Sequence, residues 1–456
     1  MTLPPKPKAR EGRVSLWRYM RLFRQDILSA QPARLYRAWM AEFRTPFFRS
    51  YMCNQPELVD LVLKTRPDDF PKSDRIREGL TPLLGNSVFV TNGEVWKRQR
   101  RIIDPAFEGG RLRDVFPAML AAGQGAVTRM GDLADGTPRE IEVETSHVAA
   151  DVIFRTLFSI PIENEVATRV FEEFREHQRT QPVLNLGALL PLPRWFPRFR
   201  KGETKRTAQV IRQLITQLTT ERMAQIKAGT APDDLATKIM TTADPQTGER
   251  FGTEEMVDQV AIFFLAGHET SASALAWALY LLALYPDWQT RVAKEVQTAF
   301  AEGASFAAMS KLPVTRDVFR ETLRLYPPVP MMVREAKCPE RFRDRDVPKG
   351  SQIVLSPWHL HRHERLWDAP DAFDPGRFKT ENGQTCLRTA YMPFSAGQRV
   401  CTGAGFAMIE GPLLLALLVQ AFRFEIIEGR TPIPVAHLTV RGQAGIWLKI
   451  TKRDDC

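Results

Sequence analysis

Residues 253–285 limit the fold more than any other part of the chain. They read TEEMVDQVAIFFLAGHETSASALAWALYLLALY and are apolar almost all round through the middle. The pattern predicts one long helix. Thr253 can cap it, Glu254 and Glu255 suit the positive end of its dipole, and Pro286 stops it. A helix apolar on every side is a buried helix. At ~1.5 Å per residue this one traverses a domain, so the chain has to build a core around it. Gly267, His268, Glu269 and Thr270 stand in its centre. Each buried polar group costs ~1–3 kcal/mol without a partner, so their placement asks for a reason.

The rest of the chain supplies a mainly helical surround. Helical spacing dominates from about Leu112 to Ile226, whereas FRSYM, SQIVLS and AGIWLKI read as strands. The expected class is mainly α with minor β. Residues 15–456 are read as one domain behind a loose, proline-bearing tail at 1–14. With 44% hydrophobic and 25% charged residues among 456, a largely disordered chain is excluded. No run approaches the ~18 uninterrupted apolar residues of a membrane span, so no transmembrane anchor is expected. The N-terminus lacks the apolar core of a secretory signal. Five scattered cysteines without a CxxC read as thiols of a reducing, cytoplasmic compartment. The net charge of +10 favours an acidic partner.

The chemistry concentrates at Phe394-Ser-Ala-Gly397-Gln-Arg399-Val-Cys401-Thr-Gly403, between the turn at Pro393 and an apolar helical run from Gly405. A lone cysteine at a helix start is ordinarily a small buried hydrophobe. Here Gly397 allows a tight turn, Arg399 can meet a carboxylate, and Gly403 leaves room for a flat group against the backbone. Free N–H groups and the helix dipole favour a thiolate at Cys401, and such a thiolate is a good ligand for haem iron.

Five positions match FxxGxRxCxG, and here the sequence resembles the cytochrome P-450 family of haem-thiolate monooxygenases. The resemblance extends from about residue 30 to 450. Ala266-Gly267-His268-Glu269-Thr270 looks like the family's AGxET. It implies that Ala266, Gly267 and Thr270 line the cofactor and that Thr270, with Glu269, supports proton delivery to bound dioxygen. Trp96 and Arg100 match WxxxR, and Arg334 follows the Pro327–Pro330 turn; the family places such residues on haem propionates. Phe394, Arg399, Cys401 and Gly403 complete the cofactor set, with Cys401 as iron ligand. Glu321 and Arg324 are similar to ExxR, and Arg377 to the arginine that completes that ion network, although Gly376 stands where the family more often has Glu. This trio is assigned to structure.

The family implies a triangular prism with haem b between the long helix and the cysteine-loop helix. It implies insertion of one oxygen atom from dioxygen into a lipophilic small molecule, in a monomer. Asp74 to Val90, Phe263, Ala266 and Val329 to Met332 are the expected pocket contributors. Electrons are expected from a separate soluble ferredoxin or flavodoxin with its reductase, docking on a basic rim of Lys97, Arg98 and Arg101. A peroxygenase or isomerase, or a haem-binding sensor, is the alternative. Nucleic acid is not an expected partner, because basic residues are interspersed with acids. His359, His361 and His363 alternate, which in a strand would suggest zinc, but Arg362 and Trp367 fit the family's His-Arg…Trp stretch better. His268 is expected to fill space in the core.

Overall fold

The computed structural model describes residues 2–12, 14–44, 48–180, 202–436 and 438–453. The helical pattern read across 181–201, and Cys456, lie outside them. The principal helices are α1 (Leu16–Gln25), α2 (Asp74–Leu84), α3 (Gly93–Ile103), α4 (Gly109–Gly131), α5 (Ile141–Phe158), α6 (Glu165–Thr180), α7 (Gly202–Ala228), α8 (Thr253–Leu284), α9 (Pro286–Ala299), α10 (Pro313–Leu325) and α11 (Ala404–Ala421). The strands used below are β1 (Met40–Arg44), β2 (Arg49–Cys53), β3 (Asp135–Glu140), β4 (Met332–Glu335), β5 (Gln352–Leu355), β6 (Phe422–Ile426), β7 (Pro434–Ala436), β8 (Val440–Gly442) and β9 (Trp447–Lys452). The class is mainly α with minor β, as expected.

The long helix forms as its pattern requires, and α5, α7 and α11 pack around it. Its cap differs from the expectation. Gly252 is the cap and Thr253 the first helical residue, because the Glu255 carboxylate reaches back and accepts the Gly252 N–H at 3.1 Å. The helix ends where Pro286 opens α9. On α8, Trp277 stacks on Tyr326 at 4.0 Å between ring centres. By length and composition α11 could cross a membrane, yet residues 410–419 are buried in the core.

The strands legible in sequence are central to their sheets. The β2 strand pairs with β1 and, in parallel, with β5, in the order β1-β2-β5-β4. The closing strand β9 lies between β3 and β6, and β7 pairs with β8. The tail is corrected over residues 2–12. Tyr326 Oη donates to Pro5 O at 2.8 Å, Tyr285 Oη donates to Thr2 O at 2.5 Å, and Pro4 and Pro7 are buried. Two buried-facing tyrosine hydroxyls find their acceptors on this segment, which straps it down.

Glu321 and Arg324 are wholly buried and joined by two bonds of 2.8 Å. Arg377 Nε adds a bond of 2.9 Å to Glu321 Oε1. The remaining guanidinium donors reach the carbonyls of His361, Pro370, Ala372, Asp368 and Ala369. One carboxylate and two cations thus anchor the segment that leads to the cysteine loop. The histidines do not form a strand: His359 lies in the helix Pro357–Leu360 and the other two in the turn after it. His359 faces Ser356, His361 accepts the Met392 N–H, and His363 stacks on Trp39. No group of three candidate metal ligands occurs among the described residues.

Candidate active site

The cysteine loop is held by its backbone. Gly397 has φ +67°, and a Cβ there would lie 2.0 Å from the Leu63 carbonyl oxygen, so only glycine fits. The Cys401 N–H donates to Phe394 O at 2.9 Å and closes the loop. The cap of α11 is Gly403, so Cys401 stands two residues before the cap rather than inside the first turn. Its side chain is open on one side and ringed by protein on the others. Burial pushes the thiol pKa up, against the Gly403 N–H, Arg100 and Lys72, which favour the thiolate. The expected stabilisation by the helix start is therefore present but outweighed by desolvation.

On α8, which packs against α11, mid-helix residues that ought to be core are open instead. Ala266 is exposed, and Phe263, Gly267 and Thr270 are half-buried, although the stretches on either side, 256–262 and 272–283, are buried. At the start of α11, Cys401 and Gly405 are exposed in the same way, one turn apart. Ser271 Oγ donates to Glu410 Oε2 at 2.5 Å and pins α8 against α11. The two open patches thus lie on paired helices. The Thr270 hydroxyl donates to Ala266 O, one turn back, at 2.6 Å.

Two neighbours differ from their expected places. A Cβ on Gly267 would meet Ile153 Cδ1 at 2.3 Å. Gly267 is small so that α5 can approach, not to clear the open patch. Glu269 makes no bond to Thr270; its Oε1 accepts from Thr439 Oγ1 at 2.8 Å and from Arg441 Nη2 at 3.2 Å. Its Oε2 is buried without a partner among the described residues. His268 fills core space as expected, bonded to Ser146 Oγ at 2.7 Å, and burial lowers its pKa to about 3.

Four cations converge beside the cysteine. Burial lowers Arg334 to about 10, and burial followed by Arg334 lowers Arg399 to about 10. Lys72 is held well below its ordinary value by burial, then by Arg334, Arg399 and Arg100. Among the described residues neither Arg334 nor Arg399 has a carboxylate ion-pair partner, whereas Arg100 pairs with Asp104 at 2.7 Å. Arg399 donates to Thr91 O at 3.0 Å and to Asn92 Oδ1 at 2.9 Å, and lies 4.0 Å above the buried Trp96 ring. So many cations in one low-dielectric place repel one another and call for anions. A flat group with two carboxylates and a metal that takes a thiolate meets both the open patches and the charge.

The sequence matches the cytochrome P-450 family model over residues 40–450. The chain belongs to the cytochrome P-450 family. It is similar to human cytochrome P-450 4A11, with 30% identity over 87% of this chain and 78% of that one. It is also similar to human cytochrome P-450 4X1, with 28% identity over 95% and 86%. Cyclooctat-9-en-7-ol 5-monooxygenase of Streptomyces melanosporofaciens is 31% identical over 92% and 88%. The chain is thus a cytochrome P-450 monooxygenase with the family's fold, and haem b is its cofactor.

In P-450 terms, Trp96, Arg100, Arg334, Arg399 and Cys401 come together around one place, with Phe394 and Gly403 beside Cys401, while Ala266 and Thr270 lie on the open patch of α8. Sequence reasoning missed Lys72 and Asn92. Neither sits in a motif. Lys72 is placed by its backbone bridge to Arg334, a pairing across 262 positions that no local spacing reports. The basic rim on α3 is also corrected. Lys97 pairs with Glu94 at 2.9 Å, Arg98 with Glu255 at 2.7 Å and Arg101 with the buried Asp244 at 2.6 Å. Its cations are answered locally and leave little field for a docking protein.

Proposed function

We propose that this P-450 hydroxylates a lipophilic small molecule, with electrons delivered by a separate redox protein. The observation that carries the reading is the convergence of Lys72, Arg100, Arg334 and Arg399 beside Cys401. These cations would hold the propionates of haem b, and the Cys401 thiolate would ligate its iron. When bound, the haem supplies the activation of dioxygen.

The chain's own residues govern protons and shape. The Thr270 hydroxyl, anchored on Ala266 O, positions a proton donor at the open face. Glu269 Oε2 is buried and without a partner among the described residues. Arg441, which also donates to Gln178 Oε1 at 2.9 Å, links that carboxylate to a partly exposed side chain. Phe263, in contact with the ring of Phe107 at 5.6 Å between centres, gives the face apolar character suited to a lipophilic substrate. The free thiols of Cys53 and Cys386, both buried, accord with the cytoplasm as compartment.

The test is oxygenation with labelled dioxygen and purified reductant proteins. One labelled oxygen atom per product and one NAD(P)H per turnover are expected. Turnover with peroxide alone, or rearrangement without reductant, would replace this reading with a peroxygenase or isomerase. Cys401→Ser should lose the far-red-shifted Soret band of the reduced carbon monoxide complex. Its survival would assign the iron to another ligand.

A further inference from the structure

The net charge of the chain is concentrated at one end. Residues 1–40 contain nine Lys and Arg against Glu11 and Asp26, so +7 of the total +10 lies in the first 40 positions. Asp26 is not available as a counter-charge. Its carboxylate is spent on the backbone N–H groups of Leu28, Ser29 and Ala436, at 3.1, 2.7 and 2.7 Å. Arg18, Arg21 and Arg24 on α1, and Arg34 and Arg37 just after it, are exposed and make no ion pair among the described residues. This contrasts with the rim on α3, where each cation has a carboxylate.

The same helix exposes a large aromatic side chain. Trp17 is 83% exposed, the most exposed large hydrophobic residue among those described. Arg21 and Arg24 follow it by four and seven positions, so the three share one face, with Arg18 beside them. The opposite face, Tyr19, Met20, Leu22 and Phe23, is half-buried. The end of α1 is clamped to β7 by the Asp26–Ala436 bond and by Ile27 N–H to Ala436 O at 3.1 Å. Just before β7, Ile433 is half-exposed as well.

We propose that α1 is an interfacial helix that seats this face of the protein on an anionic lipid surface. Arginines attract the headgroups, and Trp17 enters the boundary between headgroup and acyl chain, where an amphipathic ring has its lowest free energy. Charge for solubility alone would not require an exposed indole among the arginines. Lipid is favoured over the redox protein, because among the described residues α1 and its flanks bond to β7 and the N-terminal strap and not to the cysteine loop.

The experiment is sedimentation of the full-length holoenzyme with phosphatidylcholine vesicles, with and without phosphatidylglycerol. Binding is expected only to the anionic vesicles and should weaken as salt screens the charges. The triple variant Arg18→Gln, Arg21→Gln, Arg24→Gln should lower the partition coefficient by about fivefold per charge, on the order of 100-fold together. Trp17→Ser should weaken it separately. All these side chains are exposed, so an unchanged carbon monoxide spectrum is the check on folding. Equal binding to neutral vesicles, or undiminished binding by the triple variant, would overturn the proposal. So would a triple variant that binds lipid normally but is reduced more slowly by an acidic donor protein, since the patch would then be the redox dock. Equally tight retention on DNA and on vesicles would reduce it to an unspecific polycation.

Discussion

Glu410 offers the sharpest test of the core beneath the active site. It lies on α11, nine residues after Cys401, and is buried with Ser271 as its one hydrogen-bond partner among the described residues. Burial raises its pKa to about 8, against about 4.3 for an exposed glutamate. The folded state therefore keeps a proton that the unfolded state releases. Its contribution is whole below the unfolded pKa and is lost as pH rises towards about 8. Each pH unit in that window costs about 1.4 kcal/mol of stability, so the loss between about pH 5 and about pH 8 is on the order of 3–4 kcal/mol. Glu410→Gln keeps the shape and cannot ionise. One amide N–H is left without a partner, at about 1–3 kcal/mol, but that cost does not vary with pH. The readout is therefore the slope. For a chain of 456 residues at about 2.1 cal/mol/K of unfolding entropy per residue, the difference amounts to about 4 °C in Tm. Thermal unfolding followed by circular dichroism at both pH values should show the wild type losing that much more than the variant. Parallel pH profiles would mean that the Glu410 carboxyl does not hold its proton in the folded state, and the burial argument would fail.

Thr270→Ala removes the hydroxyl bonded to Ala266 O while preserving helix propensity; substrate binding should survive, and more of the reducing equivalents should appear as hydrogen peroxide. Unchanged coupling of NAD(P)H to product would leave Thr270 a packing residue. Glu321→Ala strands Arg324 and Arg377 as buried charges and should cost about 3–5 kcal/mol, seen as loss of haem-loaded protein rather than a change in KM. Lys97→Glu, at an exposed pair with Glu94, should leave the rate of reduction by an acidic donor within about twofold at low salt; a large drop would restore the rim on α3 as a docking surface.

Legibility followed the range of the interactions. The helix over 253–285, the strands in FRSYM, SQIVLS and AGIWLKI, and the cysteine loop were readable because periodicity and tight turns act between neighbours a few positions apart. The ion trio was readable too, since Glu321 and Arg324 share one turn of helix. Errors began where a distant partner decided. Thr270 and Glu269 are adjacent in sequence and looked like one device. Tertiary contact sends Glu269 to Thr439 and Arg441 on the chain around β8, and leaves Thr270 on its own carbonyl. Gly267 looked like clearance for a ring until α5 supplied Ile153. Arg98 and Arg101 looked like free charge until Glu255 and Asp244 arrived from some 150 positions away.

By itself, then, the amino-acid sequence determined the element types, the cysteine-loop motif and the total charge, all properties of residues and their near neighbours. Only the tertiary structure decided which charges are free. A side chain's field depends on what stands within a few ångströms of it, and the chain brings those neighbours from anywhere. That is why +10, and even its concentration in the first 40 residues, could be counted from the sequence, while the pairing of the cations on α3 and the lack of it on α1 could not.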